Sequence, residues 1–224
     1  MNASSSYILS IAGVDPSSGA GLTSDIKTFQ AHGLYGLSVC TAVTVQNDIS
    51  FEKVQWMPID LISEQLNILF KRFTIQIVKI GITQNWLILN QIINVLYAHN
   101  SSIEIILDPV LHASSGFVFH ENYQLLYPIL EKILLLTPNY QELAEFYPKN
   151  NIDQTISKLQ SLTNIYLKGG HRADYPGLDQ LYLNSGDMVI IPAGSEPVFP
   201  KHGSGCVLSS AIASNICLCY TLKE

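Results

Sequence analysis

The chain has 224 residues, a formal net charge of −6, 47% hydrophobic residues and 13% charged ones. That is enough chain for one large domain with a full core. The acidic balance, with no cluster of Lys or Arg, excludes nucleic acid as the main partner, although a local nest of N–H groups can still bind a small anion.

Met1 to Ser6 carries neither the positive charge nor the apolar stretch of a signal peptide. Tyr7 to Ala12 reads as a first strand, and Gly21 to His32 as a helix closed by Gly33. Leu37 to Val45 is a second strand, and Phe51 to Trp56 a possible edge strand. Pro58 to Phe73 is a helix with proline in its first turn. A strand at Ile75 to Ile80, a helix at Asn85 to Ala98 and a strand at Ile103 to Leu107 follow. Lys132 to Leu136 reads as a strand, then a helix runs through Phe146 and another from Asp153 to Leu162. Ile165 to Leu167 is a strand, Gln180 to Leu183 and Met188 to Ile191 are edge strands, and Val207 to Cys219 is the last helix.

Strands alternate with helices, and several strands are near-continuous apolar runs. This predicts an α/β fold, a three-layer αβα sandwich around a largely parallel sheet, in one domain. No apolar run reaches the length of a membrane span. Cys40, Cys206, Cys217 and Cys219 form no C-x-x-C pair and no zinc spacing, as expected of thiols in a reducing, cytoplasmic protein.

In such folds ligands bind beyond the C-terminal ends of the strands. The polar residues fall there: Asp15, Gln46-Asn47-Asp48, Asp108, Asn139 with Glu142, and Lys168. Gly203-Ser204-Gly205-Cys206 opens the last helix on the same rim. Glycines let several N–H groups converge on one point, and the helix N-terminus adds positive potential. That combination holds phosphate and would make the Cys206 thiol more acidic. It is neither a Walker A loop nor a dinucleotide fingerprint, since no Gly-Lys occurs and Leu208 stands where a third glycine is needed.

The long Ala12 to Gly21 loop is either an ordinary strand–helix connection or a substrate-facing loop with Asp25 one turn beyond to bond the ligand. Asp108 is a turn aspartate or a metal ligand, and Glu142 a helix-start acid or its partner in holding a hydrated Mg²⁺. His32, His99 and His120 read as surface or helix-end residues, whereas His112, His171 and His202 lie on the rim. A cysteine hydrolase fits poorly, because Cys206 has His202 only four residues away and no partner acid.

The blocks Ile11 to Gly21 with Asp25 to Thr28, Thr41 to Asn47, Lys79 to Gly81, Asp108 to Val110, Leu136 to Asn139 with Glu142, Lys168 to His171 and His202 to Cys206 are collinear across nearly the whole chain. In that order they resemble the hydroxymethylpyrimidine/phosphomethylpyrimidine kinases of thiamine biosynthesis, within the ribokinase-like superfamily. The resemblance implies ATP-dependent phosphorylation of 4-amino-5-hydroxymethyl-2-methylpyrimidine and then of its monophosphate. It implies a substrate site at Gly13, Asp25, Gln46 and Val110, nucleotide contacts from Lys168, Asn139 and Glu142, and Mg²⁺ near Asp108 and Glu142. Gly203, Ser204, Gly205 and Cys206 would form the catalytic turn, with Cys206 as base.

It further implies a small-molecule pyrimidine substrate, a homodimer, no membrane and a cytoplasmic setting. Three features depart from the family pattern. Ser18 stands for a glycine, Ile82-Thr83 for Met-Leu, and Lys201-His202 with Ser204 for Thr-His with Thr. The family also continues past the position of Glu224, so residues 1–224 read as one ribokinase-like domain, short at its C-terminus. Two other readings share these residues: a pyridoxal kinase of vitamin B6 salvage, and a non-catalytic pyrimidine-binding module.

Overall fold

The computed structural model describes residues 7–112, 118–119, 123–170, 175–195 and 201–224. His120 and His171 lie outside the described residues. Nine strands form one sheet in the order β3-β2-β1-β4-β5-β6-β7-β8-β9. They are β1 (Tyr7–Val14), β2 (Tyr35–Gln46), β3 (Phe51–Trp56), β4 (Ile77–Ile80), β5 (Glu104–Leu107), β6 (Leu135–Leu136), β7 (Asn164–Leu167), β8 (Asp179–Tyr182) and β9 (Met188–Ile191). β2, β1, β4, β5, β6 and β7 run parallel; β3 lies antiparallel at one edge, and β8 and β9 extend the other edge by antiparallel pairing.

The helices are α1 (Gly21–Ala31), α2 (Ile59–Phe70), α3 (Trp86–His99), α4 (Tyr127–Leu130), α5 (Tyr140–Phe146), α6 (Ile152–Gln160) and α7 (Ser204–Cys217). Alternation along each strand sorts its side chains between two layers. Leu9, Ile11, Val78, Ile80, Ile105 and Leu107 pack with α2, α3, α5 and α6. Ile8, Ile77, Ile106 and Leu135 face Phe29 of α1 and Ala213 of α7. The sandwich expected from the sequence is therefore present.

The differences from the sequence reading are local. β1 runs on to Val14, because the first loop continues the pairing to Val43 of β2 across a register shift at Gly13. The strand expected at Lys132 to Leu136 shrinks to Leu135–Leu136. Lys132 and Ile133 instead close a turn, their N–H groups donating to Ile129 and Leu130. α7 begins three residues earlier than expected, so the Gly-Ser-Gly-Cys residues belong to its first turn.

Candidate active site

Six parallel strands end on one rim, which brings together residues scattered from Gly13 to Lys168. Gly13 closes β1 against Ile82; a Cβ there would sit 2.5 Å from the Ile82 Cδ1. Gln46 ends β2 and shares a small pocket with Asn47 to Phe51 and His202. Val110, half-buried, follows Asp108 and donates its N–H to the Asp108 carbonyl at 2.9 Å.

The phosphate-type turn is built by backbone packing. Gly203 is the N-cap of α7 with φ 78°, and a Cβ there would lie 1.9 Å from the Gly19 carbonyl oxygen. Gly21 has φ 60°, and a Cβ there would lie 2.2 Å from the Gly13 carbonyl oxygen. Both glycines are thus required by conformation and by space. Ser18 is also left-handed, with φ 61°, at a place where the family resemblance puts glycine.

The Asp15 carboxylate organises the loop. It accepts from the Ser17 N–H and hydroxyl and from the Ala20 N–H, and it meets His202 Nε2 at 2.9 Å. Burial works to raise its pKa, but these bonds hold it below the ordinary aspartate value. The first strand–helix loop is thereby tied to the loop that opens α7.

Cys206 sits where two helix starts meet. It occupies the first turn of α7, and the backbone N–H of Gly21, the first residue of α1, pulls its pKa down. The amides of Gly205 and Cys206 are first-turn donors with no acceptor within their own helix. The sequence argument made this thiol acidic, and the structure corrects that. Burial pushes it up to about 11, with Lys79 opposing and Asp108 and Asp25 adding to the rise.

On the other side Lys168 pairs with Asp108 at 2.8 Å. Its ammonium lies against Gly205, where a Cβ would be 3.3 Å away. Burial opposes its charge, yet Asp108 and Glu142 outweigh that and raise its pKa. Asp108 is likewise buried, but Lys168 and Lys79 hold it below its ordinary value. Asn139 caps α5, accepting from the N–H groups of Gln141 and Glu142, and Glu142 accepts the Asn139 N–H at 2.7 Å. The capping oxygen of Asn139 is thus engaged. Glu142 is the helix-start acid that the sequence allowed, and it also lies beside Asp108 and Lys168.

Burial first, then the Asp108 charge, lifts Glu142 to about 7, with Lys168 pulling the other way. Two buried carboxylates sharing one lysine suit a divalent cation. No group of three His, Cys, Asp or Glu residues able to hold a metal occurs among the described residues. A carboxylate with a raised folded-state pKa makes the folded protein bind more protons, so stability falls as pH rises from about 4.5 to about 7. Glu142→Gln keeps the capping geometry and removes that slope. Urea unfolding at pH 5 and pH 7.5 should show a smaller pH difference in the variant by about 1–3 kcal/mol. An unchanged difference would refute the assignment.

Asp25 is engaged within the protein. It is fully buried, and its two oxygens take Lys79 at 2.9 and 3.0 Å, Ser10 at 2.5 Å and Ser210 at 2.7 Å. Its hydrogen-bonding capacity is spent inside the protein. The sheet register explains the arrangement: Ser10 and Lys79 are direct partners on β1 and β4, so both point towards α1 and α7. Burial alone would discharge Lys79, but Asp25, then Cys206 and Asp108, raise its pKa.

Sequence reasoning gave Lys79, Ser10 and Ser210 no role. The available signal was a lysine inside the apolar run Ile77-Val78-Lys79-Ile80, since a buried charge demands a partner. His32 and His99 sit at helix ends as expected. His112 meets Glu145 at 2.9 Å on a half-exposed surface.

A family model described as phosphomethylpyrimidine kinase matches residues 15–224. The hydroxymethylpyrimidine/phosphomethylpyrimidine kinase of Aquifex aeolicus is 35% identical over 220 residues, covering 92% of this chain and 84% of that protein. The enzyme of the same name from Salmonella typhimurium is 32% identical, with 92% and 81% covered. The crystal structure of phosphomethylpyrimidine kinase from Clostridium difficile 630 superposes with a TM-score of 0.80 at 30% identity, covering 97% of this chain and 93% of that one. Staphylococcus aureus pyridoxal kinase, solved with AMP-PCP and pyridoxal, has a TM-score of 0.81 at 23% identity, with 98% and 83% covered, a likeness of fold alone. The collinear rim residues and these matches agree: the chain belongs to the phosphomethylpyrimidine kinase family and is a phosphotransferase of ribokinase-like fold.

Proposed function

We propose that the protein transfers phosphate from ATP to the hydroxymethyl group of 4-amino-5-hydroxymethyl-2-methylpyrimidine, and then to the resulting monophosphate. The observation that carries this reading is the meeting of the α1 and α7 N-termini at Cys206, with the Lys168 ammonium beside Gly205. Phosphoryl transfer needs positioning and charge stabilisation more than covalent chemistry. The amides of Gly205 and Cys206 face charge that develops on the transferred group, as donors in an anion hole do. Gly203 sets their direction, and Ser204 begins the turn. Lys168 leaves Asp108 to meet phosphate oxygens, and Asn139 offers its side-chain amide to the nucleotide. Gly13, Gln46 and Val110 line the pyrimidine side. Bound Mg²⁺ would be held by Asp108 and Glu142 and would neutralise phosphate charge.

Cys206 would accept the hydroxymethyl proton in the first step. In the second step the acceptor is already an anion, so a base matters less. With the thiol near 11, the first-step rate should rise with pH through the alkaline range. Cys206→Ser should impair the first phosphorylation more than the second and flatten that pH profile. Equal losses in both steps would leave Cys206 as packing. The four cysteines are free thiols, which supports a reducing, cytoplasmic setting. β3 and β9 are the edge strands of the sheet, and edge backbone can pair in a homodimer. Among the described residues no helix is long and apolar enough to cross a membrane. The deciding assay is ADP release with Mg-ATP against hydroxymethylpyrimidine, its monophosphate and pyridoxal. Turnover of both pyrimidines is expected; turnover of pyridoxal alone would overturn the reading.

A further inference from the structure

Helix α7 buries Ser209, Ser210, Ala213 and Ser214 against the sheet. Small side chains let it approach closely, but they fix its rotation and axial position poorly, since little shape interlocks. Two of these serines reach outside the helix. Ser210 donates to Asp25 Oδ1 at 2.7 Å, and Asp25 is held by Lys79 and Ser10. Ser209 reaches Asp108 Oδ2 at 3.2 Å, and Asp108 is held by Lys168. Ser209 also lies 3.1 Å from the carbonyl of Cys206, and its single proton serves one acceptor at a time. Consecutive helix residues point about 100° apart, so two adjacent bonds to fixed carboxylates define both rotation and height. Asp25 stands on α1 and Asp108 just beyond β5, so the two anchors belong to different parts of the fold. Cys206 and Gly205 lie within about one and a half turns of both serines.

We propose that Ser209 and Ser210 are positioning residues that hold the Gly203–Cys206 turn in register with the two buried ion pairs. The proposal rests on the kinase reading above for its effect on turnover, but not for its effect on the turn itself. Ser214 supplies the contrast. It is equally buried, yet it bonds only the Ser210 carbonyl of its own helix. Burial of a small polar residue would make the three serines equivalent; positioning separates them.

The test compares Ser209→Ala, Ser210→Ala, the double variant and Ser214→Ala in the full chain. The first readout is kcat and KM for both pyrimidine substrates. A displacement near 1 Å costs about 100-fold in rate, so the double variant should lose about ten- to a hundredfold in kcat, with KM changing far less. The second readout needs no substrate: iodoacetamide alkylation of Cys206 and Cys40, followed by mass spectrometry of their peptides. A loosened turn exposes Cys206 further, so its alkylation should quicken in the double variant while that of Cys40, half-buried like Cys206, stays unchanged. Ser214→Ala should match the wild type in both readouts. Unchanged Cys206 reactivity, or equal acceleration at Cys40, would overturn the proposal. A wild type that phosphorylates neither pyrimidine would overturn the kinase reading, and the alkylation ratio would still decide the role of the serines.

Discussion

Asp25→Ala is expected to lower the unfolding free energy by about 3–5 kcal/mol, because removing one partner of a buried ion pair leaves the other charge uncompensated. Lys79 is fully buried, and its ammonium has both Asp25 oxygens within 3.0 Å. Ser10 and Ser210 would lose their acceptor at the same time. Whole domains are stable by only about 5–15 kcal/mol, so the variant should be only marginally folded at 37 °C. The double variant Asp25→Leu with Lys79→Met should recover most of the loss, since apolar side chains of similar volume often replace a buried pair without cost. Chemical denaturation of the three proteins checks this. Asp187→Ala provides the reference, because the Lys223–Asp187 pair is exposed and its loss should be indistinguishable from wild type. If Asp25→Ala behaved like Asp187→Ala, the buried pair would not be holding the fold.

The second large effect falls on turnover. Gly203→Ala places a methyl group 1.9 Å from the Gly19 carbonyl oxygen, in a backbone conformation unfavourable to any L side chain. Neither obstacle can be relieved by a side-chain rotation, so the turn must move relative to the first loop. The expected loss in kcat is about 10²–10³, as for removal of an anion-hole donor. Gly205→Ala is a graded comparison. There the nearest atom is the Lys168 ammonium at 3.3 Å, the mobile end of a long side chain. It should yield by a few tenths of an ångström, and the loss should stay below about tenfold. Steady-state kinetics on both variants tests the order. A Gly205→Ala enzyme weaker than Gly203→Ala would contradict the packing described for the two positions.

The layered fold was legible because short apolar strand runs alternate with longer amphipathic helices along most of the chain. The rim was legible for the same reason, since each polar block follows a strand. What escaped was chemistry joined only by the fold. Ser10, Asp25, Lys79 and Ser210 are separated by up to 200 positions, and no spacing in one sequence connects them. Asp25 was therefore assigned to the ligand, although its partners lie inside the protein. The acidity of Cys206 was misjudged because helix position can be read from sequence, whereas desolvation depends on what covers the sulfur. Burial exceeded the combined help of Lys79 and the Gly21 N–H at the start of α1. The extent of β6 was misread as well: the strand lies within the expected run but is only two residues long, too few side chains to mark its start.

The elevated Cys206 pKa bears on how the protein meets oxidants. Peroxides attack the thiolate, and sensor cysteines are acidic and exposed. Cys206 stands at the convergence of two helix starts yet remains protonated near neutral pH, so its sulfur is a poor target for sulfenic acid formation. Exposed Cys219 is the more accessible thiol, at the far end of the same helix. Oxidative damage would begin there, away from the phosphate-holding turn.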